Sequence, residues 1–272
     1  MSVSYASTSR ESAVSADNDY LHRLSKRNDQ RLRMHVFLFP YAGGSASVFR
    51  DWSAYFDDRY ELIAIQLPGR GNRLGHPVVE DFNLLVQDVA DAVYVGADVR
   101  KFVFFGHSMG ALLAHAVANE LARRRQPLPE CMFLSGRKAP HSPGKRHPVG
   151  SMTDEDFMNE LRSLGGTPEE VLADPDMMRL MLPTARADFA LLDHWYTQAP
   201  TAPPEPSISM PIYAMAGRRD VHCSPDDSAQ WQFYTRGVFE LLEYNGGHFF
   251  IHKAQSRVIA DVRHRLDALL VG

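Results

Sequence analysis

The stretch Phe102-Val-Phe-Phe-Gly-His-Ser-Met-Gly-Ala-Leu-Leu-Ala-His-Ala-Val-Ala118 decides the fold. An apolar run leads into a Gly-x-Ser-x-Gly turn and then into a run with helical spacing, which predicts a strand, a sharp turn and a helix. Such a turn strains the backbone of its central serine, and flanking glycines leave room for the strand and the helix. The sequence therefore predicts that Ser108 is a nucleophile presented at a helix N-terminus.

From Arg33 onward, short apolar runs alternate with longer amphipathic ones, as βαβ units produce. The predicted strands are Met34–Phe39, Glu61–Leu67, Lys101–Phe105, Cys131–Leu134, Pro211–Ala216 and Val238–Tyr244. The predicted helices are Ser47–Phe56, Phe82–Val95, Met109–Arg124, Pro225–Tyr234 and Lys253–Leu270. Most of the strands are apolar on both faces, which is typical of strands covered by helices on both sides. The pattern predicts an α/β fold with a mostly parallel central sheet.

Residues 139–206 break this alternation. The segment opens and closes with prolines, and it contains helix-start signals at Thr167-Pro168 and Asp174-Pro175. We predict a helical lid insertion over 139–206, between core segments 31–138 and 207–272. Residues 1–30 are predicted to be a disordered tail, since the serine-rich start lacks the apolar core of a secretory signal.

A serine nucleophile needs a histidine base and a carboxylate that orients it, in the chain order Ser, Asp or Glu, His. His248 follows the last predicted strand and a Gly246-Gly247 pair, so it is the predicted base. Three other histidines lie in the nucleophile turn or on helices and are interpreted as pointing away from Ser108 or as packing groups. They are His107, His115 and His252.

Asp220 follows the strand Pro211–Ala216 directly, at the strand end where parallel sheets place catalytic groups. Asp226, Asp227 and Asp193 are the alternatives, and the first two are better explained as charges in the first turn of a helix. We predict Asp220 as the orienting carboxylate.

A tetrahedral oxyanion needs two backbone donors. One is predicted to be the amide of Met109, which follows the nucleophile. The other should come from the loop after the first strand, Pro40-Tyr-Ala-Gly-Gly-Ser45, where we choose the Ala42 amide, with Tyr41 as the alternative.

Composition excludes several classes of protein. The chain has 29 Lys and Arg against 33 Asp and Glu, a formal charge of −4, and no basic block, which argues against nucleic-acid binding. The longest uncharged stretch, Phe102 to Asn119, contains two histidines, a serine and two glycines, so no membrane span is predicted. Cys131 and Cys223 are too few for a disulfide framework, which favours a reducing, cytoplasmic location.

Five motifs together resemble the type II thioesterases, the freestanding editing hydrolases that accompany polyketide and nonribosomal peptide synthetases. The motifs are Phe-Pro-Tyr-Ala-Gly-Gly (39–44), Leu-Pro-Gly-Arg-Gly (67–71), Gly-His-Ser-Met-Gly (106–110), Gly-Arg-Arg-Asp (217–220) and Gly-Gly-His-Phe-Phe (246–250). The resemblance covers about residues 33–270 and implies an α/β-hydrolase fold with a lid. Two positions depart from the family pattern: many members carry His at Tyr41, and an acidic or amide residue at Gly71.

The resemblance implies a triad of Ser108, Asp220 and His248, and an oxyanion hole of Ala42 and Met109. It also implies hydrolysis of aberrant or stalled acyl groups from the phosphopantetheine arm of an acyl or peptidyl carrier protein, met transiently and in trans. No metal or organic cofactor is expected. Tyr41 and Phe249, which flank these positions, are assigned to substrate binding.

Three further expectations accompany this interpretation. A general carboxylesterase or lipase-like hydrolase of small esters is the alternative enzyme, and a noncatalytic binding module on the same fold is a third possibility. The apolar residues of the lid either line a pocket or only pack the lid. Loop cations are expected to surround the mouth and to attract an acidic carrier. They are Arg70, Arg73, Arg137, Lys138, Lys145 and Arg146.

Overall fold

A computed structural model describes residues 19–25, 30–98, 100–142, 149–206 and 208–271. Within these residues, seven strands form one sheet in the order β1-β3-β2-β4-β5-β6-β7. The strands are β1 (Leu21–Arg23), β2 (Met34–Phe39), β3 (Tyr60–Ile65), β4 (Lys101–His107), β5 (Met132–Ser135), β6 (Ile212–Gly217) and β7 (Phe239–Tyr244). Every neighbouring pair is parallel except β1 with β3. The predicted mostly parallel sheet is confirmed.

Eight α-helices lie within the described residues: α1 (Phe82–Ala97), α2 (Met109–Arg123), α3 (Asp154–Leu164), α4 (Glu169–Leu172), α5 (Pro175–Gln198), α6 (Pro225–Ala229), α7 (Phe250–Lys253) and α8 (Gln255–Val271). Short 3₁₀ helices are formed by Ala46–Tyr55, Gly71–Arg73 and Gln230–Tyr234. Two predicted helices thus differ in type, because 46–55 is 3₁₀ throughout and 225–234 becomes 3₁₀ after Ala229. The predicted last helix, Lys253–Leu270, corresponds to α8, and only its first residue belongs to the short helix α7.

The predicted disordered tail needs a correction. Residues 1–18 and 26–29 lie outside the described residues, but β1 within the same segment pairs with β3, Leu21 lying opposite Ile65. The Arg23 guanidinium pairs with the buried carboxylate of Glu61, whose other oxygen lies 2.9 Å from His35 Nδ1. Burial alone would raise the pKa of Glu61, but the contacts with His35 and Arg23 lower it, and the charged carboxylate holds β1 on the sheet edge.

The sheet is packed on both faces. One large apolar cluster joins it to α1 and α2, and a second joins it to α8 and to Phe49 and Trp52 of the first 3₁₀ helix. Burial of this much apolar surface is the main stabilisation of the fold. The strand ends that carry the predicted catalytic residues are therefore anchored in the two largest clusters of the molecule.

The lid helices α3, α4 and α5 lie within the predicted insertion 139–206. Asp174 caps α5 by accepting from the amides of Asp176 and Met177, as its position before Pro175 predicts. At the helix start predicted at Thr167-Pro168, Pro168 occupies the N-cap of α4 and makes no side-chain capping bond. A separate apolar cluster fills the space under the lid. Its buried members are Val149, Phe157, Leu161, Leu172, Met178, Ala185 and Phe189.

Both cysteines are free and buried. Burial raises the pKa of the Cys131 thiol, and it raises that of Cys223 to about 12. Neither sulfur is therefore a thiolate near neutral pH. Within the described ranges, no helix combines the length and the apolar character that crossing a bilayer requires.

Candidate active site

The turn between β4 and α2, Gly106–Gly110, holds Ser108 in an unusual conformation. Its φ is 55° and its ψ is −117°, outside the regions that residues with a Cβ normally adopt. The Ser108 amide donates to the carbonyl of Ser135 on the neighbouring strand at 2.8 Å. This bond and the flanking strand and helix hold the strained serine at the carboxyl edge of the sheet.

The two glycines of this turn lie where no side chain fits. A Cβ on Gly106 would lie 2.3 Å from the Gly110 carbonyl oxygen. A Cβ on Gly110 would lie 2.1 Å from the Phe39 carbonyl oxygen, at the end of β2. The glycines therefore permit contact between the nucleophile turn and the loop that follows β2.

Ser108, His248 and Asp220 form one chain of hydrogen bonds. Ser108 Oγ lies 3.0 Å from His248 Nε2, and His248 Nδ1 donates to Asp220 Oδ2 at 2.7 Å. The other Asp220 oxygen accepts from the amides of His222 and Cys223 at 2.8 and 3.1 Å. These bonds use both carboxylate oxygens, so the two backbone amides hold Asp220 in place while it orients the imidazole. The arrangement supports a serine nucleophile with a general base.

The alternative carboxylates lie elsewhere. Asp227 forms a capping box with Ser224 at the start of α6 and pairs with Lys138 at 3.2 Å. Asp226 lies in the first turn of the same helix, and Asp193 lies on the lid helix α5.

The other three histidines have separate surroundings. His107 is fully buried and its Nδ1 lies 2.9 Å from Ser135 Oγ. Burial, with the nearby His248 and His252, holds the pKa of His107 well below its usual value. Burial lowers the pKa of His115 to about 4 and also lowers that of His252. The structure thus brings only His248, of these four, into hydrogen-bond reach of Ser108.

The two predicted oxyanion donors border the nucleophile. Met109 is the first residue of α2, where a backbone amide has no acceptor within its own helix. Ala42 lines the cavity that contains Ser108. Their role as donors remains a prediction.

An aromatic wall stands beside the triad. The rings of Tyr41 and Phe249 meet at 79° with centroids 4.7 Å apart, and Phe249 also contacts the His248 ring. The Tyr41 hydroxyl lies 3.2 Å from Nε2 of His252, and burial raises the pKa of Tyr41 to about 12. Tyr41 is therefore a neutral, fixed part of the wall near neutral pH.

The cavity over Ser108 encloses about 1050 Å³ including its open mouth. Its floor contains Ser108 and His248, and its aromatic wall is Tyr41 and Phe249. The lid supplies apolar side chains to the opposite side. They are Leu161, Leu164, Phe189 and Leu192. Lid residues therefore both pack and line the cavity, so the two interpretations of the insertion hold together.

A family model described as a thioesterase domain matches residues 34–266. The chain belongs to the thioesterase family. It is 36% identical over 238 residues to the gramicidin S biosynthesis protein GrsT of Aneurinibacillus migulanus, covering 88% of this chain and 91% of that one. It is 34% identical to thioesterase PikA5 of Streptomyces venezuelae, covering 86% and 81%.

Among solved structures, this thioesterase is similar to the type II thioesterase BorB from the borrelidin biosynthetic cluster. The TM-score is 0.79 with 28% identity, over 93% of this chain and 100% of that one. The α/β-hydrolase fold and the resemblance to type II thioesterases are confirmed. The protein is a hydrolase of the thioesterase group associated with polyketide and nonribosomal peptide biosynthesis.

The expected ring of carrier-attracting cations in the thioesterase needs a correction. Arg70 is buried against Asp188, and Arg73 is buried with its guanidinium 4.2 Å from the Tyr20 ring centroid. Both guanidinium groups make contacts inside the protein, and neither faces a docking carrier. Arg137 and Lys138 do line the cavity. Lys145 and Arg146 lie outside the described residues.

Sequence reasoning missed the buried carboxylate of Asp188, which accepts from the Gly43 amide at 2.7 Å. The sequence did contain a signal for this buried carboxylate. Asp188 falls on the stripe of α5 that also carries buried Thr184, Ala185, Leu191 and Leu192, where a charge is unexpected unless it is paired. The thioesterase therefore has a polar connection from the lid to the loop after β2.

Proposed function

We propose that Ser108, His248 and Asp220 hydrolyse acyl thioesters carried on the phosphopantetheine arm of carrier proteins. The observation that carries the proposal is the Oγ–Nε2–Nδ1–Oδ2 chain, at 3.0 and 2.7 Å, on the floor of a lid-covered cavity. The substrates are aberrant or stalled acyl groups that block a synthetase.

In the first half-reaction, Ser108 Oγ attacks the thioester carbonyl while His248 Nε2 takes the hydroxyl proton. Asp220 holds the imidazole in the required tautomer and stabilises the imidazolium that forms. Collapse of the tetrahedral intermediate breaks the carbon–sulfur bond. The imidazolium returns its proton to the leaving pantetheine sulfur, which departs as a thiol and leaves an acyl-serine.

The developing oxyanion is stabilised by the amides of Ala42 and Met109. Removal of one such donor in other hydrolases costs about 10²–10³ in kcat. In the second half-reaction, His248 deprotonates a water that attacks the acyl-serine. The proton then passes to Ser108 Oγ, and the free acid leaves.

No cofactor is required in this scheme. The chain itself supplies the nucleophile, the base, the orienting carboxylate and the backbone donors. The acyl chain lies between the aromatic wall of Tyr41 and Phe249 and the apolar lid residues, and water exclusion there strengthens the polar interactions at the carbonyl.

The partner is an acyl or peptidyl carrier protein that docks transiently at the cavity mouth. The names of the relatives support this proposal, since GrsT and BorB belong to gramicidin S and borrelidin biosynthesis. Arg137 brings positive charge to the cavity, which suits an acidic carrier and its phosphate, whereas the neighbouring Lys138 pairs with Asp227. The partner is neither a nucleic acid nor a membrane.

We place the enzyme in the cytoplasm, together with its carriers. Free cysteines are typical of a reducing compartment, and both thiols of this chain are unpaired.

The test loads a carrier protein separately with acetyl, propionyl, hexanoyl and malonyl groups and follows the intact carrier mass after enzyme is added. We expect loss of acyl mass with the native enzyme and none with Ser108→Ala, and the initial rates rank the four acyl groups. Carriers that remain loaded while a simple ester is cleaved would overturn the proposal in favour of a general esterase.

A further inference from the structure

We propose that Asp188, on the lid helix α5, is a positioning residue for the oxyanion hole and that Arg70 holds its carboxylate in place. The loop Tyr41–Ser45, called here the oxyanion loop, would then be shaped by the lid as well as by the sheet. The proposal rests on the serine mechanism proposed above and assigns a further residue to the same site.

Asp188 contacts the oxyanion loop directly. Its Oδ2 accepts from the Gly43 amide at 2.7 Å. That bond fixes the peptide unit between Ala42 and Gly43, which adjoins the Ala42 amide proposed to face the oxyanion. Gly43 has a φ of +76°, so the loop reaches this acceptor through a conformation that favours glycine.

Arg70 clamps both the carboxylate and the loop. Its Nη2 donates to Asp188 Oδ1 at 2.7 Å, and its Nη1 pairs with Asp188 Oδ2. The same guanidinium lies 3.4 Å from the Gly44 carbonyl and donates to the Pro68 carbonyl at 3.2 Å. The Arg70 guanidinium therefore contacts three parts of the molecule: the oxyanion loop, the loop after β3 and helix α5.

Gln66 secures the far end of the oxyanion loop. Its side-chain oxygen accepts from the Ala46 amide at 3.0 Å, and its side-chain nitrogen donates to the Arg70 carbonyl at 3.0 Å. The sheet side thus fixes where the loop ends, while the lid side fixes the peptide next to Ala42.

The burial of this pair argues for a specific role. Asp188 is 1% exposed and Arg70 is 6% exposed. Replacing a buried ion pair by well-packed apolar residues is often neutral or stabilising, so stability alone does not require a charge here. What the carboxylate adds is a fixed acceptor for the Gly43 amide. Because Asp188 belongs to α5, the oxyanion loop has this acceptor only when the lid helix is packed in place.

A second lid contact provides a matched control. Thr184 Oγ1 donates to the Gly69 carbonyl at 2.7 Å, one helical turn before Asp188. Thr184 is also buried, but its bond reaches the loop after β3 and makes no contact with the oxyanion loop. Thr184→Val therefore weakens the seating of α5 without removing the acceptor of Gly43.

The experiment compares three variants of the full chain. The apolar pair combines Asp188→Leu with Arg70→Met, and the amide pair combines Asp188→Asn with Arg70→Gln. The third variant is Thr184→Val. Each is assayed for kcat and KM on an acyl-carrier thioester. Each is also assayed for inhibition by an alkylthio trifluoromethyl ketone, whose adduct with Ser108 places an oxyanion in the hole. Thermal melting checks that each variant is folded.

For the apolar pair we expect kcat to fall about 100-fold, the inhibition constant of the ketone to rise by a similar factor, and KM to change less than about threefold. The amide pair keeps a weaker acceptor and should lose about three- to tenfold in both kcat and ketone affinity. Thr184→Val should melt at a lower temperature with the ketone affinity of the native enzyme.

Native kcat and ketone affinity in either folded double variant would overturn the proposal, and so would an equal loss of ketone affinity in Thr184→Val. The amide pair preserves this test if the apolar pair does not fold. Failure of the underlying mechanism is seen separately, because the native enzyme would then form no ketone adduct that Ser108→Ala abolishes, whatever residue 188 is.

Discussion

The two sides of the cavity are built by different means. On the sheet side, Ser108, Asp220 and His248 follow strand ends that are anchored in the two largest apolar clusters. On the lid side, a small apolar cluster is supplemented by buried polar bonds to the sheet loops, from Asp188 and Thr184. The difference separates two tasks, because the sheet side fixes the reacting atoms and the lid side sets the cavity and supports the oxyanion loop.

The largest effect is expected on the sheet side, from Asp220→Asn. The change preserves size but reverses the tautomer preference of His248, so kcat should fall about 10⁴-fold, as in other serine triads. Single-turnover kinetics on an acyl-carrier thioester measure the loss, and circular dichroism checks the fold. A loss below tenfold would show that the carboxylate bonded to His248 Nδ1 is not the orienting group.

Gly110→Ala tests the point where the nucleophile turn meets the loop after β2. The added methyl would lie 2.1 Å from the Phe39 carbonyl oxygen and 2.6 Å from that of Pro40, so backbone must move. We expect destabilisation of at least about 3 kcal/mol in denaturant unfolding, or failure to fold. Gly75→Ala is the control, since nothing lies within 4 Å of its added methyl. Equal stability of the two variants would contradict the close contact.

A pair of phenylalanines compares the two sides directly. Phe133 on β5 and Phe157 on α3 are both fully buried, in the sheet and lid clusters respectively. Phe133→Ala should lower the global free energy of unfolding by about 4 kcal/mol. Phe157→Ala should instead loosen the lid, with faster amide exchange in α3–α5 and retained protection in the sheet. Equal loss of sheet protection in both variants would show that lid and sheet unfold as one unit.

The smallest effect concerns His115, on the helix behind the nucleophile. Burial lowers its pKa from 6.5 to about 4, so the unfolded chain binds more protons between these values. The stabilisation is complete above pH 6.5 and is lost as pH falls towards 4, by about 3 kcal/mol. His115→Gln should remove that part of the acid dependence of unfolding. Parallel stability curves for the native protein and His115→Gln would contradict the assignment.

The sheet side was largely predictable because its signals are local. A Gly-x-Ser-x-Gly turn between a strand and a helix identifies Ser108 within five residues. A glycine turn after a strand marks both Asp220 and His248. The sequence alone thus yields six of the seven described strands and the three residues that the structure brings together.

The lid side was less predictable because its contacts are distant in sequence. Arg70 and Asp188 are 118 residues apart, and nothing near Arg70 distinguishes a buried arginine from a solvated loop charge. Strand β1 was not predicted from the sequence, for a related reason. Three residues, Leu21–Arg23, are too few to show a period, and their pairing depends on the exposed edge of β3 and on the carboxylate of Glu61.

The buried, protonated thiols of Cys131 and Cys223 have a practical consequence. Thiol reagents act on thiolates, so the native chain offers them no reactive partner near neutral pH. A single cysteine introduced on an exposed lid position, such as Met177 on α5, would therefore be the only site labelled. The distance from that label to a second probe on a carrier's pantetheine arm would follow lid and substrate together, without removing a native cysteine.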